Sequence, residues 1–319
     1  MSYKKLIHEL MLPLALVLGS GSYLVYHFSP ALRPIGPFCH EIASRGQTFL
    51  ISIMLFLQYI RIAPKDLRFQ KWHIAALLFQ VAMFVGFTAI ELALPEGPLR
   101  VVAESALLCF ICPTASAAGI ITERLGGNLP STMAYVVIIY CVTTLLIPSV
   151  VPLLHPDSDT DFLSRVWMLV GKLFPMLILP GILAWAIRFL LPRLHKAIYK
   201  ISHLSFYVWG VSLTLAMVLA TRALVMSSHD PWMLVGIALA SVLSCAIQYI
   251  VGQKIGRKYS PQAPEAGSIT AGQALGQKNT GLLIWMGYSF MTPVTSIAGG
   301  LYAVFQNLFN SWEIYRKER

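Results

Sequence analysis

Long apolar runs recur along this chain, separated by short polar or basic stretches. A helix needs about 20 consecutive apolar residues to cross a bilayer. The pattern predicts ten such spans, over about 8–28, 46–62, 72–94, 99–122, 130–154, 165–190, 201–226, 231–253, 267–288 and 290–311. The fold class expected is therefore an all-α polytopic membrane protein with little mass outside the bilayer. The midpoint falls in the acidic loop His155–Asp161, which leaves five spans in 1–154 and five in 155–319. An odd number of crossings turns the second half upside down, the geometry of two inverted five-helix repeats.

Two spans depart from the apolar pattern in matching positions. The fourth carries Cys112-Pro113-Thr114-Ala115-Ser116-Ala117-Ala118-Gly119, then Gly126-Gly127-Asn128. Proline removes a donor and clashes with the preceding turn, and small residues permit close backbone approach. The ninth carries Gly272 through Gly281, including Gln273, Gln277, Lys278, Asn279 and Thr280, the most polar stretch of any span. Irregular backbone cannot face lipid, so both stretches should face protein or a water-filled cavity. Paired broken helices point to a transport site, where half-helix ends offer unpaired N–H and C=O groups.

Composition agrees. Hydrophobic residues make up 56% of the 319, charged residues 12%, and mean hydropathy is +0.67, which excludes a soluble enzyme or a disordered chain. The formal charge of +10 would suit nucleic acid in a soluble protein. Here the basic residues sort by side instead. With the N-terminus in the cytoplasm, seventeen Lys and Arg fall in cytoplasmic segments and five outside. Both termini are thus expected in the cytoplasm, in a multi-pass protein of the cell (plasma or inner) membrane whose first span is uncleaved. No nucleic-acid partner, disulfide framework or cofactor is expected. Cys109 and Cys112 form a C-x-x-C without the second pair that zinc needs. Glu91 and Glu104 read as interfacial residues, or else as bordering the cavity, Lys172 either as the partner of an acid or as structural, and Trp72, Trp232 and Trp312 as interfacial anchors.

At the two broken spans the chain resembles the bile acid:sodium symporter family. Cys112-Pro113 and Gly127-Asn128 match its fourth-span motif; Gly276, Asn279 and Leu282 match its ninth; Gln80 resembles a third-span glutamine; and Pro148…Pro152-Leu153-Leu154 looks like its fifth span. The resemblance implies a panel domain from spans one, two, six and seven and a core domain from spans three to five and eight to ten. It also implies a crossing of spans four and nine in the core, and an organic anion (bile-acid-like or carboxylate) moved by alternating access.

The departures bear on the coupling ion. A hard cation needs oxygens to replace its water shell. The positions that hold sodium in the family are here Ala118, Gly119, Thr132, Val136, Ala274 and Lys278, and of these side chains only Thr132 offers an oxygen. An ammonium about 4 Å from sodium would be repelled by about 4 kcal/mol at an effective dielectric of 20, a penalty of about a thousandfold. Sodium coupling is therefore expected to be lost or altered, with Lys278 standing in for the bound cation. Proton coupling through Lys278, or its direct pairing with substrate, are the alternatives. The crossover is expected to be lined by Gln80, Ser116, Asn128, Thr132, Gln277, Asn279 and Thr280, with no catalytic residues. Rival readings are an arsenite-type exporter using Cys112 and a non-transporting membrane sensor. A membrane enzyme is disfavoured because no acid, base and metal-ligand cluster is evident.

Overall fold

Proline and glycine decide where the long apolar stretches stop, and side-chain caps decide where several restart. The computed structural model describes residues 3–115, 117–156, 161–226 and 230–317. Its helices are α1 (Tyr3–Phe28), α2 (Gly36–Tyr59), α3 (Lys71–Ala93), α4 (Pro98–Ile111), α5 (Ala117–Arg124), α6 (Leu129–Leu154), α7 (Phe162–Leu177), α8 (Leu179–Leu190), α9 (Pro192–Ile201), α10 (Ser205–Met226), α11 (Pro231–Tyr259), α12 (Pro264–Gly276), α13 (Thr280–Phe290) and α14 (Ser296–Lys317). Among the described residues no strand forms, and one isolated antiparallel bridge joins Thr114 to Lys278. Five stretches, Lys71–Ala93, Leu129–Leu154, Phe162–Leu190, Tyr207–Met226 and Pro231–Tyr259, are long and apolar enough to cross a membrane. The chain is an all-helical, membrane-embedded protein.

The region expected as span four is two helices, α4 and α5, and that expected as span nine is α12 and α13. Span six also divides, at Ile178, between Pro175 and Pro180. The basic loop after it is a helix, α9, with no buried residue. The stop of α5 follows from its sequence. Gly126 has φ +78°, Gly127 N–H bonds to Thr122 O at 2.8 Å and Gly126 N–H to Glu123 O at 2.9 Å. That is a Schellman ending, which favours glycine at the left-handed position. Two residues later the Asn128 side chain accepts from Ser131 N–H and starts α6.

Packing sorts the helices into neighbourhoods. α10 lies against both α1 and α2, with α7 and α8 on α2. α11 packs on α4, α12 and α14, and α6 touches α3, α5 and α12. The α11–α12 contact is close because it is lined with glycine: a Cβ on Gly252 would sit 2.5 Å from Ala271 O. In lipid, small residues of this kind let helices reach van der Waals contact along their backbones. Large apolar side chains such as Leu78, Val85, Leu239 and Leu243 remain exposed, as a lipid-facing surface requires.

Several expectations about single residues are corrected. Glu91 and Glu104 are buried rather than interfacial. Trp72 is buried, and its indole N–H donates to Gln70 Oε1 at 2.8 Å and Ser131 Oγ at 3.0 Å, whereas Trp232 and Trp312 are exposed. Lys172 is exposed, with its ammonium 5.9 Å from the centre of the Phe290 ring and no acidic partner among the described residues.

Candidate functional site

The two interrupted segments meet through their unwound backbones. Ala115 N–H donates to Gln277 O and Asn279 N–H to Pro113 O, both at 2.9 Å, on either side of the Thr114–Lys278 bridge. Each segment thus supplies hydrogen bonds that the other lost when its helix stopped. Buried backbone groups rarely go unpaired, and at membrane depth an unpaired one costs several kcal/mol.

The last carbonyls of α4 show where the remaining partners come from. Leu108 O accepts from Cys112 N–H within the helix. Cys109 O accepts from the Gln248 side chain at 3.2 Å, and Ile111 O from the Thr143 hydroxyl at 3.2 Å. Phe110 O accepts from Lys278 Nζ at 3.4 Å. Cys112 O accepts from Gln80 Nε2 at 3.3 Å, and Tyr135 donates to Gln80 Oε1 at 2.8 Å. The ammonium of Lys278 is fully buried at the C-terminal end of a helix, the end whose dipole attracts cations. No carboxylate pairs with it among the described residues.

On the other segment, Thr114 donates to Ala274 O at 2.5 Å and Tyr302 to Gly276 O at 2.7 Å. Lys278 N–H donates to Gln306 Oε1 at 2.9 Å. Asn279 does three things at once. Its Oδ1 accepts from Leu282 N–H and caps α13, its Nδ2 donates to Tyr140 at 2.9 Å, and its carbonyl accepts the Cys112 thiol at 3.3 Å. Gln277 donates to Gln273 and, at 3.4 Å, to Asn310 Oδ1.

Beside the crossing lies a cavity of about 960 Å³. Ala115 and Gln277 through Thr280 form one wall, with Met54 and Gln58 of α2, Arg61 just after it, Trp209 of α10, and Gln306 and Asn307 of α14 among its other sides. A mostly apolar chamber with a few convergent amides, one arginine (Arg61) and one glutamate (Glu123) suits an amphipathic organic molecule.

The residues expected at the crossover divide. Gln80, Ala274, Gln277, Lys278 and Asn279 are part of it, and Thr280 lines the cavity as the first residue of α13. Asn128 is exposed and Thr132 bonds to Thr122 Oγ1 and Asn128 O, so both serve the start of α6 and not the crossing. Ala118 and Val136 are buried without a polar side chain. Gly119 is pressed against α6, where a Cβ would lie 2.5 Å from Met133 Sδ and 2.7 Å from Leu129 Cδ1. Ser116 lies outside the described residues. Cys112 does not line the cavity, and its thiol is engaged by Asn279.

Sequence reading missed Thr114, Tyr135, Tyr140, Thr143, Gln248, Tyr302, Gln306 and Asn310. One signal was available: Tyr302, Gln306 and Asn310 recur every four residues on α14, a polar stripe along one helical face. Compared with models of known protein families and with curated proteins, the chain matches none of them.

Proposed function

We propose that this protein is a secondary transporter of an organic anion, working by alternating access, and that Lys278 takes the place of a bound cation. The observation that carries the reading is the buried Lys278 ammonium on Phe110 O, at the negative end of α4, in a residue of the cavity wall. In a symporter a metal ion would hold two half-helix ends together; a tethered ammonium does so permanently. The likeness of the two broken segments to the bile acid:sodium symporters, given above, supports the same reading. It comes with ten spans in two inverted repeats (1–154 and 155–319) and panel and core domains.

Arg61, Glu123 and Tyr199, exposed members of the cavity lining, lie at helix ends that the basic residues assign to the cytoplasm. The form described is then inward-open. Arg61 supplies the positive charge for a carboxylate, and the apolar walls take the body of the molecule.

The test is uptake into proteoliposomes, with thermal-shift binding on the purified protein, across bile acids and keto acids in sodium and in potassium. Saturable uptake with equal rates in the two salts is expected. A strong, saturable sodium requirement would refute the substitution of lysine for the ion. A pH profile that flattens in Lys278→Met would assign proton coupling instead.

A further inference from the structure

The ends of α3, α4 and α6 bring together a second set of polar groups, toward the end of α4 opposite the crossing. Glu91 lies in the last turn of α3, Glu104 in the second turn of α4, and His155 directly after α6. One ligand atom from each lies within 4.8 Å of the others. Glu104 is about 10 Å along α4 from Ile111, at 1.5 Å per residue, so this group is separate from the cavity.

The three side chains are unequally satisfied. Glu104 is held by Thr292, whose N–H donates to Oε1 at 2.6 Å and whose hydroxyl donates to Oε2 at 2.8 Å. His155 Nε2 is 3.2 Å from Glu104 Oε1. Glu91 is fully buried, and neither of its oxygens has a hydrogen-bond donor. Arg100 Nε comes no closer than 3.8 Å to Glu91 Oε1, and its Nη2 is committed to Leu154 O at 2.8 Å. A buried carboxylate without a donor is among the most costly arrangements in a folded chain. The Glu104 carboxylate adds repulsion.

We propose that Glu91, Glu104 and His155 form a binding site for a divalent first-row transition-metal ion. Two carboxylates and an imidazole are the donor chemistry of such ions, and the imidazole selects them over magnesium and calcium. Metal–ligand distances of about 2.0–2.2 Å place tetrahedral donors about 3.3–3.6 Å apart. The His155–Glu104 pair already stands at 3.2 Å, and Glu91 needs only a side-chain adjustment. Thr292 orients the Glu104 carboxylate in the way outer-shell donors hold metal ligands. His155 is half-buried, which leaves a side open for entry from solvent and for a water ligand. The ion would tie α3, α4 and α6 together, and through Thr292 the chain after α13.

The probe is Zn²⁺ on the full-length protein, purified in detergent, stripped with chelator and titrated at mildly alkaline pH by calorimetry and thermal unfolding. One tight equivalent per chain, a raised unfolding midpoint and no response to Mg²⁺ are expected. Glu91→Gln and His155→Ala should each weaken Zn²⁺ binding about tenfold or more and abolish the midpoint rise. Cys39 and Cys141 are exposed thiols, and replacing both with serine should leave the tight equivalent in place. The proposal is overturned if the wild type binds no Zn²⁺, if the serine variant loses the tight equivalent, or if His155→Ala binds as the wild type does. His155→Ala decides the matter alone should Glu91→Gln not fold.

Discussion

The two helix interruptions at the crossing were made by different means. Between α4 and α5 a proline breaks the helix, and the segment itself brings no charge to the freed carbonyls. Donors on other helices satisfy them: Gln80 of α3, Thr143 of α6, Gln248 of α11 and the Lys278 ammonium. Between α12 and α13 there is no proline. Its three residues, Gln277, Lys278 and Asn279, all carry polar side chains that cap, brace and bridge. A proline break is local in origin and borrows its stability. A polar break has no local cause beyond the gain its side chains make in the folded state.

The comparison leads to an ordering of effects. The polar break should be the more sensitive, with Lys278 at its head. Lys278→Met leaves Phe110 O at a buried helix end without its donor, and should cost about 2–3 kcal/mol, seen as a lower thermal unfolding midpoint. Because the positions around it offer almost no side-chain oxygens, sodium should not restore the midpoint of the variant, and the loss should be the same in sodium and in potassium. A variant melting at the wild-type temperature would mean that the charge contributes nothing to the crossing.

Asn279→Ala removes the α13 cap and the bond to Tyr140 together, with an expected loss of about 2 kcal/mol in the same assay. On the proline side the losses should be smaller. Thr114→Val deletes one hydroxyl bond, to Ala274 O, for about 1 kcal/mol. A larger loss for Thr114→Val than for Asn279→Ala would reverse the proposed order of the two breaks.

The smallest effect lies outside the crossing, at a helix start whose stability is purely local. The Asp161 side chain accepts from Ser164 N–H at the start of α7, and the hydrogen bonds from Ser164 hold its carboxyl below the usual carboxylate range. A depressed folded-state value adds stability above the unfolded value, about 3.9, that is lost as pH falls through the folded one. Asp161→Asn should therefore lower the midpoint slightly at neutral pH and not at all in strong acid. The group is fully exposed, so the neutral-pH effect should fade in high salt.

How much of the site could be read in advance depended on whether its cause was local. Pro113 and the glycines at 126 and 127 act on their own backbone within a few residues, and their effects on helix ends follow from residue type. The polarity of 277–280 marked a segment that could not face lipid. Sequence could not tell that Asn128 and Thr132 would serve α6 and not the crossing, because side-chain direction on a helix depends on which neighbour it packs against. Glu91, Glu104 and Trp72 were misplaced for a related reason. Each lies close to a helix end, where exposure is the usual outcome, yet the rest of the fold covers it.

The chain's own order of apolar and polar residues determined that the protein is helical and embedded in a membrane, and where the proline- and glycine-marked helices stop. These outcomes follow from hydrophobic run length and from backbone geometry at proline and glycine. Only the tertiary structure decided the partners. The Lys278 ammonium meets a carbonyl 168 positions away, and Glu104 meets a threonine 188 positions away. No local rule encodes such pairings; they arise because buried polar groups must find partners among whichever helices the packing of the whole chain brings near.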